Sequence, residues 1–345
     1  MTAECRRVLK PSGSMFVNLG DKYAGSAGWC NSEASAASSK LKGNNQQRTN
    51  PHATPKAPQS DIRPKSLMGL PWRYAIGCID NLDLILRAEV VWSKPNGLPE
   101  SVTDRVRRSH EQWFHFTREP RYFAAVDEVR EPSAPPSSTA LRGPTSGLKS
   151  NGDRGDLGMG NFMPSPLGKL PGSVWTIPSE PLKVPDWLGV DHFAAFPQEW
   201  PRRIILGWSP SGICVECGEG RRPVVAKDLA TVDRGAVGSR GTKFSQQSDN
   251  RRQGTDPVYG STTATITGYA CACDTPTAPT RPAVVLDPFG GTGTVAMVAR
   301  ALGRYPVHID LSRDYLRLAR WRIYESGHAS KTVERTNREA QGVLL

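Results

Sequence analysis

The sequence lacks any long hydrophobic run. Its most apolar segment, residues 82–92, contains three charged residues, whereas a membrane-spanning helix needs about 20 consecutive apolar residues. The first nine residues also carry charges before any apolar stretch, so they offer no signal-peptide core. The sequence therefore predicts a protein that neither spans a membrane nor is secreted.

Cysteine and acidic residues are also scarce. Seven cysteines in 345 residues are too few for a disulfide scaffold, which leaves free thiols or a metal site in a reducing compartment. Asp and Glu number 33 against 44 Lys and Arg, for a net charge of +11. A basic chain favours polyanionic partners, nucleic acid above all. A basic surface that only contacts solvent is the alternative.

Glycine and proline, in contrast, are abundant. The chain has 33 and 29 of them, well above their joint average usage of about 12%. They are concentrated in polar stretches without sustained periodicity, which are expected to be loops. These stretches are residues 24–66, 127–172 and 218–270, with a polar tail from residue 329. The remainder is long enough for one packed domain with insertions.

Between the loops, hydrophobic periodicity indicates alternating helices and strands. Helices are expected at 2–10, 67–81 and 198–208, and strands at 14–19, 84–92 and 111–117. The chain then continues with a strand at 283–287, a helix at 294–302, a strand at 307–310 and a helix at 312–325. This order predicts an α/β fold with a doubly wound, Rossmann-like sheet.

A glycine-rich turn, Asp287-Pro-Phe-Gly-Gly-Thr-Gly-Thr294, follows one of these strands and opens a helix. Its glycines allow close approach of the backbone to a ligand, and the helix N-terminus favours an anionic group. The spacing does not fit G-x-G-x-x-G, which argues against a dinucleotide. Asp310, after the next strand, can accept both hydroxyls of a ribose. A tight turn without a ligand is the alternative.

The element DPFGGTGT closely resembles the DPFxGxGT element of S-adenosylmethionine-dependent DNA amino-methyltransferases, which act on cytosine N4 or adenine N6. The resemblance implies that the turn contacts S-adenosylmethionine, that Asp310 binds its ribose, and that Phe196 and Pro197 pack beside it. The implied contacts in the turn are Asp287, Phe289, Gly290, Gly291, Thr292 and Gly293.

Because the cofactor motifs come last, the chain resembles the permuted subclass of this family, of bacterial or phage type. The resemblance implies DNA as the partner, a role in restriction-modification, and the cytoplasm of a bacterial or phage-infected cell. The choice between cytosine and adenine, the recognition sequence and the oligomeric state stay open.

The same resemblance implies a division of the chain. The N-terminal part of the methyltransferase core spans 1–126, a target-recognition or loop region spans 127–190, and the cofactor-binding part spans 191–212 and 282–328. A cysteine-bracketed insert spans 213–281 and a polar tail 329–345.

One family element is missing. The family's catalytic motif is Asp, Ser or Asn followed by Pro-Pro and an aromatic residue, which orients the target amine and stacks on the flipped base. The only Pro-Pro here, Pro135-Pro136, lies in Ala-Pro-Pro-Ser and on the wrong side of the strand at 14–19. We therefore expect an N-terminally incomplete methyltransferase with no identifiable catalytic residue and little or no activity. Alternatives are a non-catalytic DNA-binding remnant and, less well supported, an RNA or protein methyltransferase.

Four cysteines have metal-ligand spacing. Cys214 and Cys217 form C-x-x-C, and Cys271 and Cys273 form C-x-C. Two thiolate pairs brought together across a loop can form a tetrahedral, structural zinc site. Free buried thiols are the alternative.

Basic residues are concentrated in two C-terminal segments. Residues 221–252 hold eight basic and three acidic residues, a charge suited to sequence-independent contact with DNA phosphates. A solvated loop would have the same composition. The four arginines of the last helix are expected to line its outer face; they are Arg313, Arg317, Arg320 and Arg322.

Overall fold

The computed structural model describes residues 1–24, 62–97, 99–132, 165–190, 196–229, 262–273, 275 and 277–325. The chain divides into two compact units. The first comprises Met1–Tyr122 and Ser173–Ser179, and the second comprises Phe123–Gly172 and Glu180–Leu345. Most of the predicted loops at 24–66 and 127–172, residues 230–261 of the predicted loop at 218–270, and the tail from residue 329 lie outside the described residues.

The first unit contains a four-stranded mixed sheet in the order β1-β3-β2-β4. β3 pairs antiparallel with β1 and β2, and β4 adds parallel to β2. The elements are α1 (Thr2–Val8), β1 (Ser14–Leu19), α2 (Leu70–Leu82), β2 (Ile85–Ser93), β3 (His110–Thr117) and β4 (Val174–Thr176).

The core of this unit forms where α2 packs on the sheet. Phe114 and Phe116 of β3 are fully buried there with Ala75 and Cys78 of α2. The two phenylalanines stand two residues apart, so they point to the same face of the strand. The alternating pattern in the sequence therefore identified the central strand correctly.

The second unit contains three two-stranded sheets. Its elements are α3 (Glu199–Trp208), β5 (Ile213–Cys214), β6 (Arg222–Leu229), β7 (Thr262–Ala270), β8 (Thr280–Arg281), β9 (Val284–Asp287), α4 (Thr294–Ala301), β10 (Tyr305–His308) and α5 (Arg313–Tyr324), with 3₁₀ turns at Val126–Val129 and Asp186–Leu188. A cluster of apolar side chains from α3, α4 and α5 forms its core, including Ile205, Met297 and Ile323.

The β9–α4–β10 segment is a parallel β-α-β unit, as the sequence predicts. The described strands do not, however, form one continuous doubly wound sheet. Among them β9 pairs with β10 alone, and Val284 and Leu286 on β9 remain 57% and 38% exposed. The structure therefore supports an α/β fold with a mixed sheet and one parallel β-α-β unit.

The described ends of the predicted loop at 218–270 are strands and so differ from the prediction. β6 and β7 form an antiparallel pair, which we call the insert hairpin. In β7 exposed threonines at 263, 265 and 267 alternate with half-buried residues, and β-branched residues at every second position favour a strand. The alternating segment is short and rich in threonine, so its composition resembles that of the polar residues around it and does not indicate a strand.

No helix among the described residues is long and apolar enough to span a membrane.

Candidate functional site

The glycine loop, residues 288–293, lies at the end of the β9–β10 pair. The parallel pairing aligns Asp287 with His308 at the ends of the two strands. Just beyond them, Gly290 N–H donates to the Ile309 carbonyl oxygen at 2.8 Å, and Ile309 N–H donates to the Asp287 carbonyl oxygen at 3.0 Å. The loop is therefore fixed at the carboxyl end of the parallel strands, where α/β folds bind ligands.

Two glycines of the loop are required by its geometry. A Cβ on Gly290 would collide with the His308 ring. Gly293 has φ of +80° and lies so close to α5 that its Cβ would lie 2.8 Å from the Cβ of Ala319. Gly293 is also the N-cap of α4 and offers no side chain to the first N–H groups of that helix. These groups are a typical anion-binding feature.

Asp310 connects the loop to the segment after β10. Its Oδ2 accepts from Gly291 N–H at 2.8 Å, and its Oδ1 accepts from Ser312 N–H at 2.8 Å. Each carboxylate oxygen has a second lone pair, and Asp310 is only half-buried. The carboxylate is therefore fixed in orientation and still able to accept hydroxyl groups such as those of a ribose.

Asp287 and Phe289 lie at the start of the loop. Burial raises the pKa of Asp287, although the N–H of Phe289, which donates to its Oδ1 at 3.1 Å, acts in the opposite direction. The Phe289 side chain is 74% exposed. An exposed aromatic ring at this position can cover a flat ligand by stacking.

Thr292 faces the protein interior. It is 4% exposed, and its hydroxyl accepts a hydrogen bond from Arg322 at 2.7 Å. Arg322 is also 4% exposed, so the prediction that all four arginines of the last helix lie on its outer face is wrong for this one. Burial lowers the pKa of Arg322 to about 10. Arg313, Arg317 and Arg320 are exposed as expected.

Sequence reasoning missed Arg322, although a signal was present. The residue falls between Ala319 and Ile323 on the buried stripe of α5, at a helical spacing that places all three on one face. Arg304, another missed residue, is buried and donates to the Ser209 carbonyl oxygen at 2.7 Å. This bond joins the start of β10 to the end of α3.

Phe196 and Pro197 immediately precede α3 in the same unit as the glycine loop. Pro197 is buried and Phe196 half-buried. The Pro197 carbonyl oxygen accepts from Trp200 N–H at 3.3 Å in the first turn of α3. Their contact with a cofactor stays a prediction.

The four cysteines with metal-ligand spacing converge, and we call them the cysteine cluster. All four sulfur atoms lie within 4.8 Å of one another, and they belong to Cys214, Cys217, Cys271 and Cys273. The Sγ atom of Cys273 lies 3.7 Å from that of Cys214 and 3.3 Å from that of Cys271. A tetrahedral zinc ion with bonds of about 2.3 Å to sulfur separates its ligands by about 3.8 Å. The donor set therefore fits such an ion.

Backbone contacts shape the first half of the cluster into a tight turn. Gly218 N–H donates to the Cys214 carbonyl oxygen at 3.0 Å, and Cys214 N–H donates to the Glu219 carbonyl oxygen at 2.9 Å. Hydrogen bonds to the Cys214 sulfur, chiefly from the N–H of Cys217 and then from the N–H of Glu216 and neighbouring thiols, lower the pKa of that thiol to about 6. The turn therefore stabilises a thiolate at Cys214, the form in which cysteine binds metals. The pKa of Cys273 is raised by its hydrogen bond with Cys271.

Comparisons with known proteins bear on the family of the chain rather than on the geometry of these two sites. The family model N6_N4_Mtase, described as DNA methylase, matches residues 1–215. This range covers more than half of the chain and ends before the insert hairpin and the glycine loop.

Several type II methyltransferases are similar in sequence. M.SmaI of Serratia marcescens is 30% identical over 239 residues, covering 68% of this chain and 65% of that protein. M.XycI of Xanthomonas campestris pv. cyanopsidis is 39% identical over 132 residues, covering 38% of this chain and 40% of that protein. The chain therefore spans less than two thirds of the length of these relatives.

Among solved structures, the chain is similar to PvuII DNA methyltransferase (cytosine-N4-specific), at 14% identity and a TM-score of 0.46. The similarity covers 97% of this chain and 72% of that one. Because the family model covers the whole of the first unit and continues to Cys214, the family assignment does not depend on this structural similarity. The chain belongs to the N6/N4 DNA methylase family, a family of DNA amino-methyltransferases.

Proposed function

We propose that the chain binds S-adenosylmethionine at the glycine loop and serves methyl transfer to an exocyclic amino group of DNA, at cytosine N4 or adenine N6. When bound, the cofactor supplies a methyl group on a sulfonium. In this proposal Asp310 accepts the ribose hydroxyls, and Phe289 covers the ligand. The glycine loop and the N-terminus of α4 surround its methionine end.

The observation that carries the proposal is the fixed position of the Asp310 carboxylate. Backbone N–H groups on both sides of it, from Gly291 and Ser312, hold one oxygen each. The carboxylate is therefore oriented before any ligand binds, which limits the entropy lost on binding. Its place at the carboxyl end of β10, beside a glycine loop and a helix N-terminus, supports a ligand that carries both a ribose and a charged end.

Calorimetry tests this proposal directly. Titration of the full chain with S-adenosylmethionine should show saturable binding, and S-adenosylhomocysteine should compete for the same site. ATP is the control, because it shares the adenosine but carries phosphates in place of the methionine end. If S-adenosylmethionine does not bind, or binds no better than ATP, the cofactor assignment is wrong.

We further propose that these 345 residues alone transfer methyl groups poorly. Their only Pro-Pro is followed by serine rather than an aromatic residue, so the sequence does not contain the motif that orients the target amine and stacks on the flipped base. Among the described strands, β9 pairs only with β10 and its other edge has no partner. A further strand, such as one leading into a catalytic motif, is therefore not seen beside it in the described part of the chain, which supports the same proposal. An assay with tritiated S-adenosylmethionine and mixed-sequence DNA should give no label above background, and clear labelling would contradict it.

A second candidate function, favoured by the absence of that motif, is a non-catalytic DNA-binding remnant of such an enzyme. Its basic insert, residues 221–252, would contact phosphates. A remnant of this kind would bind DNA with a strong salt dependence but yield no methylated product. Gel-shift titrations at 50 and 200 mM salt, beside the methylation assay, distinguish it from an active enzyme.

The cysteine cluster supports a structural zinc site as part of this function. Four thiolates fill a tetrahedral shell and leave no open position for a substrate, as structural zinc sites require. Cys214 lies in β5, and Cys271 and Cys273 follow β7. The ion would therefore join the two ends of the insert.

Metal analysis of the purified chain tests the zinc site. We expect one zinc per chain, and less than a tenth of that in Cys217→Ser. The matched control is Cys5→Ser, because Cys5 lies on α1 and outside the cluster. A wild-type chain without zinc after reconstitution under reducing conditions would show that the thiols are free.

A further inference from the structure

We infer that Arg322 is a positioning residue for the cofactor: from inside the protein it holds the glycine loop in its binding conformation. This inference rests on the proposed function, since it assigns to Arg322 the preorganisation of the proposed S-adenosylmethionine site. It adds a residue on a different helix, 28 positions beyond Thr294, to a site otherwise formed by the glycine loop and Asp310.

The contacts of Arg322 converge on the junction between the loop and α4. Its Nη1 donates to the Thr292 carbonyl oxygen at 3.0 Å, to the Thr292 hydroxyl at 2.7 Å and to the Thr294 hydroxyl at 2.9 Å. One nitrogen carries two hydrogens, so one of these hydrogens is shared between two acceptors. All three bonds restrain the residues on either side of Gly293.

Gly293 is the point of the loop that most needs restraint. It has φ of +80°, and glycine in an unfolded chain visits many other conformations. Together with Gly290 and Gly291, it makes the loop costly to order. Hydrogen bonds to both neighbours of Gly293 confine it before the ligand arrives, so less entropy is lost on binding.

The burial of the guanidinium indicates a specific role rather than a surface contact. Arg322 and Thr292 are each 4% exposed and Thr294 is 1% exposed. A buried charge is costly unless well hydrogen-bonded, and it does not by itself stabilise a fold. Glu180 favours the charged form of Arg322 electrostatically, while the three acceptors of its Nη1 are uncharged and belong to the loop and the first residue of α4. The guanidinium is therefore hydrogen-bonded at the junction between the glycine loop and α4.

Another arginine of α5, Arg320, supplies a matched control. Arg320 is exposed on α5, two residues from Arg322, so it points away from the loop. The same substitution at the two positions therefore separates the contact with the loop from the general effect of removing an arginine from α5.

The test compares Arg322→Met and Arg322→Lys with Arg320→Met in the full chain. We expect Arg322→Met to weaken S-adenosylmethionine binding at least tenfold by calorimetry, with Arg322→Lys in between and Arg320→Met within twofold of wild type. Hydrogen exchange without ligand is the second readout. Amides of residues 290–294 should exchange at least tenfold faster in Arg322→Met, while those of α2 stay unchanged.

The two readouts keep the inference separate from the proposed function. If wild type does not bind S-adenosylmethionine, the proposed function fails, and exchange in the free protein still decides whether Arg322 orders the loop. Wild-type affinity and unchanged loop exchange in a folded Arg322→Met would overturn the inference. If Arg322→Met does not fold, Thr294→Val replaces it: loss of one acceptor should weaken binding about threefold, and wild-type affinity would contradict the assignment.

Discussion

The glycine loop and the cysteine cluster are both turns of the second unit, but they are stabilised in different ways. The loop lies on two strands and is packed against α5 at Gly293. The cluster lies beside β5 and β8, which pair through only two residues each. Its Cys217 is exposed. Apolar packing and hydrogen bonds thus order the loop, whereas a bound ion would be the main support of the cluster.

The difference shows how one unit can contain two kinds of site. A site on packed elements exists before its ligand and needs only small adjustments, which favours affinity. A site made of thiolates on short strands gains much of its order from the ion, so metal binding and local folding are coupled. The two sites are therefore expected to respond separately to substitution and to metal removal.

Metal removal should give the largest effect. Chelation, or Cys271→Ser, is expected to speed amide exchange in the insert hairpin by more than 100-fold, because the ion closes the base of a two-stranded pair that is marginal alone. Amides of α4 should change less than threefold. Exchange mass spectrometry of zinc-loaded and chelated protein measures both, with Cys5→Ser as the control. Equal acceleration in α4 would show that the two sites unfold together.

Substitution of Gly293 should give the next largest effect, this time on the glycine loop. Gly293→Ala adds a Cβ 2.8 Å from that of Ala319 at φ of +80°. Strain and overpacking together should cost about 2–4 kcal/mol in free energy of unfolding. Gly291→Ala is the matched control, because Gly291 has φ of +50° and its added Cβ would lie 3.9 Å from the Phe289 carbonyl oxygen, at ordinary contact distance. It should cost only about 1–2 kcal/mol.

Denaturant unfolding of both glycine variants gives the two costs, and zinc content shows whether the cysteine cluster is affected. We expect full zinc occupancy in both. Equal destabilisation by the two substitutions would mean that close packing on α5 does not determine the loop.

Asp310→Asn should affect ligand binding more than folding. An amide in place of the carboxylate turns one acceptor into a donor that faces either the Gly291 or the Ser312 N–H. Affinity for S-adenosylmethionine should fall about 10- to 30-fold, or about 1.4–2 kcal/mol. Asp314→Asn is the control, since the Asp314 side chain is 67% exposed. Calorimetry that finds both variants equal to wild type would remove Asp310 from the site.

Glu199 should give the smallest effect and influence both sites. Burial alone would raise the pKa of Glu199, but hydrogen bonds from Arg202 and Arg203 at 2.7–2.9 Å lower it below its usual value of 4.5. The folded pKa is below the unfolded one, so the ion pairs stabilise the protein fully above about pH 4.5. This contribution is lost as the pH falls through the lowered pKa.

Glu199→Gln is therefore expected to lose about 1 kcal/mol at pH 7 and to show a weaker pH dependence of stability between pH 3 and 5. Thermal unfolding across that range checks it. Because α3 packs on α4 and leads into β5, both sites should be weakened to the same small extent. A change confined to the cysteine cluster or to the glycine loop would show that α3 supports only one of them.

Much of the fold was visible in the sequence where periodicity was strong. The strand at 14–19 was predicted with the bounds it has in the structure, and α3 was placed within one residue despite Pro201, which lies in its first turn. The insert hairpin was missed because threonines at alternate positions resemble the polar loop around them. The division of strands into several sheets depends on contacts distant in sequence, which local patterns do not contain.

The site shows the same contrast. Cysteine spacing correctly predicted which four sulfur atoms converge. Two cysteines separated by one or two residues can point to the same place, so the pattern is visible in the local sequence. The glycines marked the loop because the positive φ of Gly291 and Gly293 is a local requirement, although the close contacts of Gly290 and Gly293 with His308 and Ala319 could not be predicted. Arg322 was assigned to the wrong face because its charge outweighed its position on the apolar stripe of α5. Its acceptors lie about 30 residues earlier in the chain, and no local pattern connects them.

The short β5–β8 pair has a consequence for how this protein can vary. It places Cys214 opposite Thr280, so the 65 residues between them leave and re-enter the core at neighbouring points. Because the two ends of the segment are neighbours, its length has little effect on the free-energy cost of closing it. Segments of different length can therefore begin and end at this point without separating β5 from β8.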